Sequence, residues 1–329
     1  MLLKELIDKG TSAISSLYPE REAKEMVYAF LESLLGTMRH THIIEPGYTV
    51  APEMADKALV AFRRMAAGEP LQYVVGRAYF YGREFKVSPD VLIPRPETEL
   101  LCREAVCFLS GCGRPFSGLR VLDLCTGSGC IAWTIALECP GVEVIAVDLS
   151  EGALDTAASQ DFSEEISEKG AVKPRFIKAD VLAGPLENLG TFDLLVSNPP
   201  YVMESEKALM RSNVLDHEPA MALFVSDEDP LVFYRSIALW ATSLLDERGL
   251  GIVEINEALA PATASTLTTS SSATTHSAPV VSSVPAAASF SDSTPAVHDP
   301  AFMPASDMAP RVVRDLNGRD RFIIFRKPF

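Results

Sequence analysis

Apolar residues along the first seventy or so positions recur at helical spacing. Ala23, Met26, Val27, Phe30, Leu31, Leu34 and Leu35 share one face of a 3.6-residue repeat, between Pro19, which suits a helix start, and Gly36, which suits a stop. A second stripe, Met54, Ala58, Leu59, Phe62 and Met65, runs between Pro52 and Gly68. Together these stripes predict a small helical bundle with a core of aromatic and methionine side chains. From 73 to 91 the pattern shortens to β-rich pieces around Gly76 and Gly82. Ile93-Pro94-Arg95-Pro96 then forces extended backbone before a helix that opens near Glu97. Three units are expected: a helical domain over 1–72, a hairpin and linker over 73–96, and a larger domain over 97–329.

Beyond the linker, strand-like and helix-like stretches alternate. Strands are expected over 119–124, 142–147, 175–178, 192–196 and 251–255, and helices over 130–138, 151–160 and 231–245. Such alternation specifies an α/β fold, a parallel sheet with helices on both faces. Between 258 and 310 the chain turns to Ser, Thr, Ala and Pro without a lysine or arginine, too little apolar bulk to order itself, and a flexible insertion is expected. Two β-like stretches, 311–316 and 321–326, follow; Asn317-Gly318 between them signals a closing antiparallel hairpin.

Composition narrows the function. The 329 residues are 47% hydrophobic, enough for a substantial core, and carry a net charge of -15. That balance argues against an extensive phosphate clamp, which lysine and arginine must build, so stable nucleic-acid binding is not expected. Lys4, Glu5 and Asp8 interrupt the apolar run that a signal peptide needs, and no stretch offers the roughly 18 apolar residues of a membrane span. All six cysteines fall between Cys102 and Cys139 with neither a CxxC pair nor a histidine cluster, so reduced thiols, no metal and a cytoplasmic location are expected.

In VLDLCTGSGCIA a buried strand ends near Asp123 and gives way to Cys125-Thr126-Gly127-Ser128-Gly129 and then a helix. This is the strand-to-helix turn at which doubly wound sheets hold nucleotides: glycine lets the backbone come close to a ligand, and the helix start offers free N–H groups. Asp148, closing the next strand, can accept from both hydroxyls of one ribose. Asp180, after RFIKAD, is a candidate for an adenine edge, with Val181 packing on the ring. The loop by itself leaves a dinucleotide-dependent dehydrogenase, or a tight turn without a ligand, open.

VSNPPYV separates these readings. It follows the strand at 192–196 and sets Asn198-Pro199-Pro200-Tyr201 beside the glycine loop, where an acceptor would meet the cofactor. The Asn198 side-chain oxygen and the Pro199 carbonyl can each accept one N–H of a planar NH2 group, Tyr201 offers a stacking face, and the paired prolines aim the backbone beforehand. Acceptors pulling on both hydrogens favour the pyramidal nitrogen whose lone pair can attack, so positioning and electrostatics carry the catalysis. Hydride transfer has no use for such a tetrapeptide.

GEPLQYVVG, LIPRPETELL, DLCTGSGCIA, AVDLS, SNPPYV, HEPAMALFVSDEDPL, VEIN and RDLNGRDRFI together resemble the release factor glutamine methyltransferases, the HemK or PrmC family. The resemblance covers nearly the whole chain outside the insertion. It implies a Rossmann-like class I S-adenosylmethionine-dependent methyltransferase domain with a mostly parallel seven-stranded sheet, behind an N-terminal bundle that helps grip peptide chain release factors. It further implies that 125–129 cradle the methionine part of S-adenosylmethionine, that Asp148 binds its ribose, that Asn198 through Tyr201 hold the glutamine amide of a Gly-Gly-Gln loop, with Asn198 bordering the cofactor too, and that Arg95 and Glu97 lie near the mouth. N-methylation of adenine or guanine in nucleic acid, and a cofactor-binding module without catalysis, are the alternatives. Two departures stand out: Cys125 occupies a position that is often glycine in this family, and the insertion follows Ile255-Asn256-Glu257 where the family continues with a helix.

Overall fold

The computed structural model describes residues 1–268 and 309–328. Helices α1 (Leu3–Ile14), α2 (Glu20–Leu35), α3 (Thr41–Ile44), α4 (Pro52–Ala66) and α5 (Leu71–Val75) make up the N-terminal part. α1, α2 and α4 turn their apolar stripes inward around Leu6, Val27, Phe30 and Phe62. Gly36 closes α2 in the left-handed conformation (φ 67°), and Pro52 stands in the first turn of α4, where its missing N–H costs nothing. Tyr73, expected in a β-rich piece, belongs instead to α5; Pro70 before it and left-handed Gly76 after it (φ 77°) delimit that single turn. A hairpin of β1 (Arg77–Phe80) and β2 (Arg83–Lys86) follows.

The remaining strands are β3 (Arg120–Leu124), β4 (Glu143–Asp148), β5 (Arg175–Lys178), β6 (Phe192–Ser197), the short β7 (Val202–Met203) and β8 (Phe224–Val225), β9 (Leu245–Glu254), β10 (Arg311–Arg314) and β11 (Asp320–Arg326). Seven of them form one sheet in the order β10-β11-β9-β6-β3-β4-β5. Its five central and distal strands are parallel; β11 runs antiparallel to β9, and β10 to β11. This is the fold expected from the sequence, a mostly parallel sheet closed by an antiparallel hairpin. β9 starts six residues before its expected onset, because its register against β6 shifts between Leu245 and Leu250 and leaves 246–249 as a bulge.

α6 (Thr98–Gly111), α7 (Cys130–Glu138), α8 (Glu151–Ala158), α9 (Ser163–Lys169), the short α10 (Ser212–His217) and α11 (Ala220–Leu223), α12 (Val232–Leu244) and α13 (Ala260–Thr268) complete the fold. Core side chains gather on both faces of the sheet, around Trp133 on one and Trp240 on the other. α13 corrects one expectation: the segment read as flexible from 258 opens with a helix. Its Ala260, Thr263 and Leu267 are buried, and α13 packs on α12 and β11, so tertiary contact outweighs a weakly helical composition. The rest of the expected insertion, 269–308, lies outside the described residues. Among the described residues, no helix is long and apolar enough to cross a membrane, and no cluster of histidine, cysteine or carboxylate side chains could hold a metal ion.

Candidate active site

β3 and β6 are neighbours in the sheet although β4 and β5 separate them in sequence, so the chain reverses its winding direction between them. At such a point the loops leaving the two strands diverge and open a crevice at their carboxyl ends. Leu124 pairs with Ser197 there, and the Ser197 hydroxyl donates to the Leu124 carbonyl at 2.7 Å. The loops beginning at Cys125 and Asn198 therefore leave from adjacent, mutually tied points.

A cavity opens between them. Its wall holds Cys125, Thr126, Gly127 and Ser128, then Asp148, Asp180 and Val181, and finally Asn198, Pro200 and Arg95. Gly129, Pro199, Tyr201 and Glu97, the other expected site residues, lie off this wall among the described residues.

The glycine loop takes left-handed backbone at Cys125 (φ 61°), Gly127 (φ 54°) and Gly129 (φ 78°). Such angles cost a residue with a Cβ roughly 1–2 kcal/mol, which glycine avoids at 127 and 129 and which makes Cys125 a strained position. Gly129 has a second constraint: a Cβ there would sit 2.9 Å from the Ala157 Cβ and 3.1 Å from Trp133. A Cβ at Gly127 would meet no heavy atom of the described residues within 4 Å, so they leave open space above the loop backbone. Burial pushes the Cys125 thiol well above its usual value, with Asp148 and Asp123 adding to the effect, so it stays protonated and unreactive at neutral pH.

Asp148 anchors the loop from the neighbouring strand. Its Oδ2 accepts from the Gly127 N–H at 2.8 Å and its Oδ1 from the Ser150 N–H at 2.9 Å, which leaves lone pairs on both oxygens for further donors. Burial raises its carboxyl above the ordinary value while those amides pull it back. Asp180 accepts from the Leu182 N–H at 2.9 Å, and the Val181 carbonyl accepts from Ser236 and from Trp240 Nε1, so this segment is held from behind. Beneath the loop Asp123 is fully buried; its Oδ2 accepts from the Thr126 hydroxyl at 2.6 Å, and its Oδ1 finds no partner among the described residues. Burial pushes its carboxyl up to about 7, helped by Asp148 and opposed by Thr126.

On the acceptor side the sequence reading missed two residues. Asn198 Nδ2 donates to the Thr98 hydroxyl at 3.3 Å, Thr98 donates to Glu254 Oε2 at 2.8 Å, and the Tyr201 hydroxyl donates to Glu254 Oε1 at 3.0 Å. Tyr201 thus spends its hydroxyl on a buried carboxylate and packs its ring against the core, not along the cavity. Burial raises the Glu254 carboxyl, while both hydroxyls and Arg321 counter it. The available signal was a charged residue ending the apolar strand run GIVE. A third residue, Glu218, accepts from Arg95 at 2.7 Å and from the Ile93 N–H at 3.2 Å, pinning the proline-rich linker over the site. Glu97 precedes α6 without a side-chain cap.

The wall suits a molecule with an amino-acid end, a ribose and a base. Open space lies above the Gly127 backbone, a carboxylate with spare lone pairs stands one strand away, and Asp180 with Val181 and Leu182 stands beyond it. Two family models match the chain: PrmC N-terminal domain over residues 5–76 and Methyltransferase small domain over residues 109–222. A release factor glutamine methyltransferase of Flavobacterium psychrophilum is 35% identical over 272 residues, covering 81% of this chain and 91% of that protein. One of Bacteroides thetaiotaomicron is 44% identical over 199 residues, covering 59% and 66%. A solved release factor-specific protein-(glutamine-N5) methyltransferase of Alicyclobacillus acidocaldarius is 29% identical, with a TM-score of 0.36, over 74% of this chain and 100% of that one. On the extent of the Flavobacterium match, the chain belongs to the release factor glutamine methyltransferase family.

Proposed function

We infer that this enzyme methylates the side-chain nitrogen of the glutamine in the Gly-Gly-Gln loop of peptide chain release factors, with S-adenosylmethionine as methyl donor. The observation that carries the reading is the bond between Ser197 and Leu124, which brings a glycine-rich cofactor loop and Asn198-Pro199-Pro200-Tyr201 to one crevice. When bound, S-adenosylmethionine supplies a methyl group on a positively charged sulfur that takes back the bonding pair as the methyl departs. The loop from Cys125 to Gly129 holds its amino-acid end, Asp148 its ribose hydroxyls, and Asp180 with Val181 its adenine. Asn198 Oδ1 and the Pro199 carbonyl accept the two N–H bonds of the glutamine amide and draw its lone pair out of conjugation. Pro200 shapes the cavity beside them, and Tyr201 braces Glu254 from outside it. The surplus proton on nitrogen becomes acidic as the N–C bond forms and leaves to water, so no general base is needed beforehand.

Arg95 and Glu97 border the route of the incoming loop, and the helical domain over 1–72 grips the rest of the release factor, with 73–96 joining it to the methyltransferase domain over 97–329 and its insertion. The substrate's role in translation puts the enzyme in the cytoplasm. The net charge of -15 weighs against methylation of a base in nucleic acid. Incubation with radiolabelled S-adenosylmethionine and a release factor, its Gln-to-Ala loop variant, duplex DNA or ribosomal RNA tests the reading. Label on the release factor alone is the expected result, and label on nucleic acid, or on the variant, would overturn the substrate.

A further inference from the structure

Behind Asn198, hydrogen bonds run from its amide through Thr98 to Glu254, which Tyr201 meets from the other side. Glu254, 1% exposed at the end of β9, is approached by two hydroxyls, Thr98 at Oε2 and Tyr201 at Oε1. The Thr98 and Tyr201 hydroxyls and Arg321 favour its ionised form against burial, and an ionised carboxylate only accepts, so both hydroxyls donate to it. Thr98 has one proton, and once that proton points at Glu254 the side of its oxygen that faces Asn198 carries a lone pair. Asn198 is therefore obliged to turn its NH2 group toward Thr98, at 3.3 Å, which puts its oxygen on the other branch of the planar amide. Thr98 is itself 2% exposed and borders the cavity beside Asn198, so no water need mediate the contact. Crossed hydrogen bonds in such a buried chain leave a polar group unpaired, which penalises the reversed orientation.

We propose that Thr98, held by Glu254, fixes the polarity of the Asn198 amide and thereby makes the site select an acceptor that donates N–H over an isosteric acceptor that cannot. This rests on the reading of Asn198 as the glutamine-binding group. A glutamine amide brings two donors to the Asn198 oxygen and the Pro199 carbonyl. A glutamate carboxylate, ionised at neutral pH, brings only lone pairs and is repelled by both. A site built to pair a donor discriminates far more sharply than a site that only fits a shape. Thr98 does not touch the reacting atoms in this account. It is a positioning residue, and Glu254 positions it in turn.

The test compares wild type with Thr98→Val, which replaces the hydroxyl by a methyl of nearly equal volume, and Thr98→Ser, which keeps the hydroxyl. Three quantities are read at pH 7.5: kcat on a release factor, Kd for S-adenosylmethionine by calorimetry, and the inhibition constant of the release factor carrying Glu in place of the loop Gln, taken as a ratio to KM for the Gln form. In Thr98→Val, with nothing left to hold its NH2 group, Asn198 can turn over. The expected result is a kcat lower by about thirtyfold or more and a Gln-over-Glu ratio reduced by about tenfold, at a cofactor Kd changed by less than about threefold. Thr98→Ser should retain the wild-type ratio. A folded Thr98→Val enzyme as selective as wild type overturns the proposal, and so does a Thr98→Ser enzyme that loses the ratio, even if the valine variant does not fold. Wild-type enzyme that leaves the release factor unlabelled overturns the functional reading and this selectivity with it. Label on the wild-type reaction with an unchanged ratio in Thr98→Val overturns the polarity assignment alone.

Discussion

The Arg95 guanidinium meets the Glu218 carboxylate at 2.7 Å, and the Glu218 side chain is only 1% exposed while that of Arg95 is one-third exposed. The pair joins the proline-rich linker to the segment before α11, across 123 residues of sequence. Removing one partner of such a pair leaves a buried charge without compensation, which is far costlier than the pair is stabilising. Arg95→Ala should therefore destabilise the fold by about 3 kcal/mol, measured by urea denaturation, with Glu218→Gln milder because the glutamine can still accept from the Ile93 N–H. If Arg95 served the substrate alone, stability would be unchanged and only KM would move.

Asn198→Ala removes an acceptor from the proposed amide site and leaves the glycine loop, Asp148 and Asp180 untouched. Cofactor affinity is expected to stay within a few-fold, with turnover falling by about 100-fold or more, the usual loss when one preorganised electrostatic contact to the reacting group is deleted. Calorimetry with S-adenosylmethionine and single-turnover labelling separate the two. Persistent turnover would refute the account of two acceptors on one nitrogen.

The two loop glycines differ in what they contribute. Gly129→Ala places a Cβ against Ala157 and Trp133 in a backbone conformation that already disfavours it, and should lower stability by about 3 kcal/mol. Gly127→Ala meets open space and pays only for its φ of 54°, about 1 kcal/mol, yet its methyl occupies room above the loop and should weaken cofactor binding more than stability. Thermal denaturation with and without S-adenosylmethionine distinguishes these. Equal effects of the two substitutions on both quantities would contradict the geometry.

What could be read from the chain was local. Gly127, Gly129 and the Asn198–Tyr201 tetrapeptide carry their chemistry in residue type and spacing, and alternating periods of two and 3.6 residues mark the sheet and its helices. Thr98 and Glu218 have no such mark, and Glu254 only that of a charge ending an apolar run, since each matters through a partner between 100 and 156 residues away or through a linker held from outside. α13 reads as flexible in the sequence for a related reason: its Ala, Thr and Ser composition resembles the stretch that follows, and its order comes from burying Leu267 against the rest of the fold. Tyr201 shows the converse error, a residue noticed for its type whose ring packs into the core while its hydroxyl serves Glu254.

Asp123 gives the stability of the cofactor-free protein a specific dependence on pH. Its carboxyl is pushed up to about 7 by burial, against roughly 3.9 in an unfolded chain, so between these values the folded state binds a proton that the unfolded state has lost. Stability from this group is complete below pH 4 and is lost as the pH rises toward and through 7, the reverse of an exposed, salt-bridged carboxylate. An asparagine in its place cannot ionise. The stability of Asp123→Asn relative to wild type should therefore improve by about 3 kcal/mol between pH 5 and pH 8. Urea denaturation of both proteins at a series of pH values, without cofactor, measures the difference. A constant difference across that range would mean that Asp123 is already ionised in the folded protein at pH 5, as it is in the unfolded chain, and that burial does not hold a proton on it.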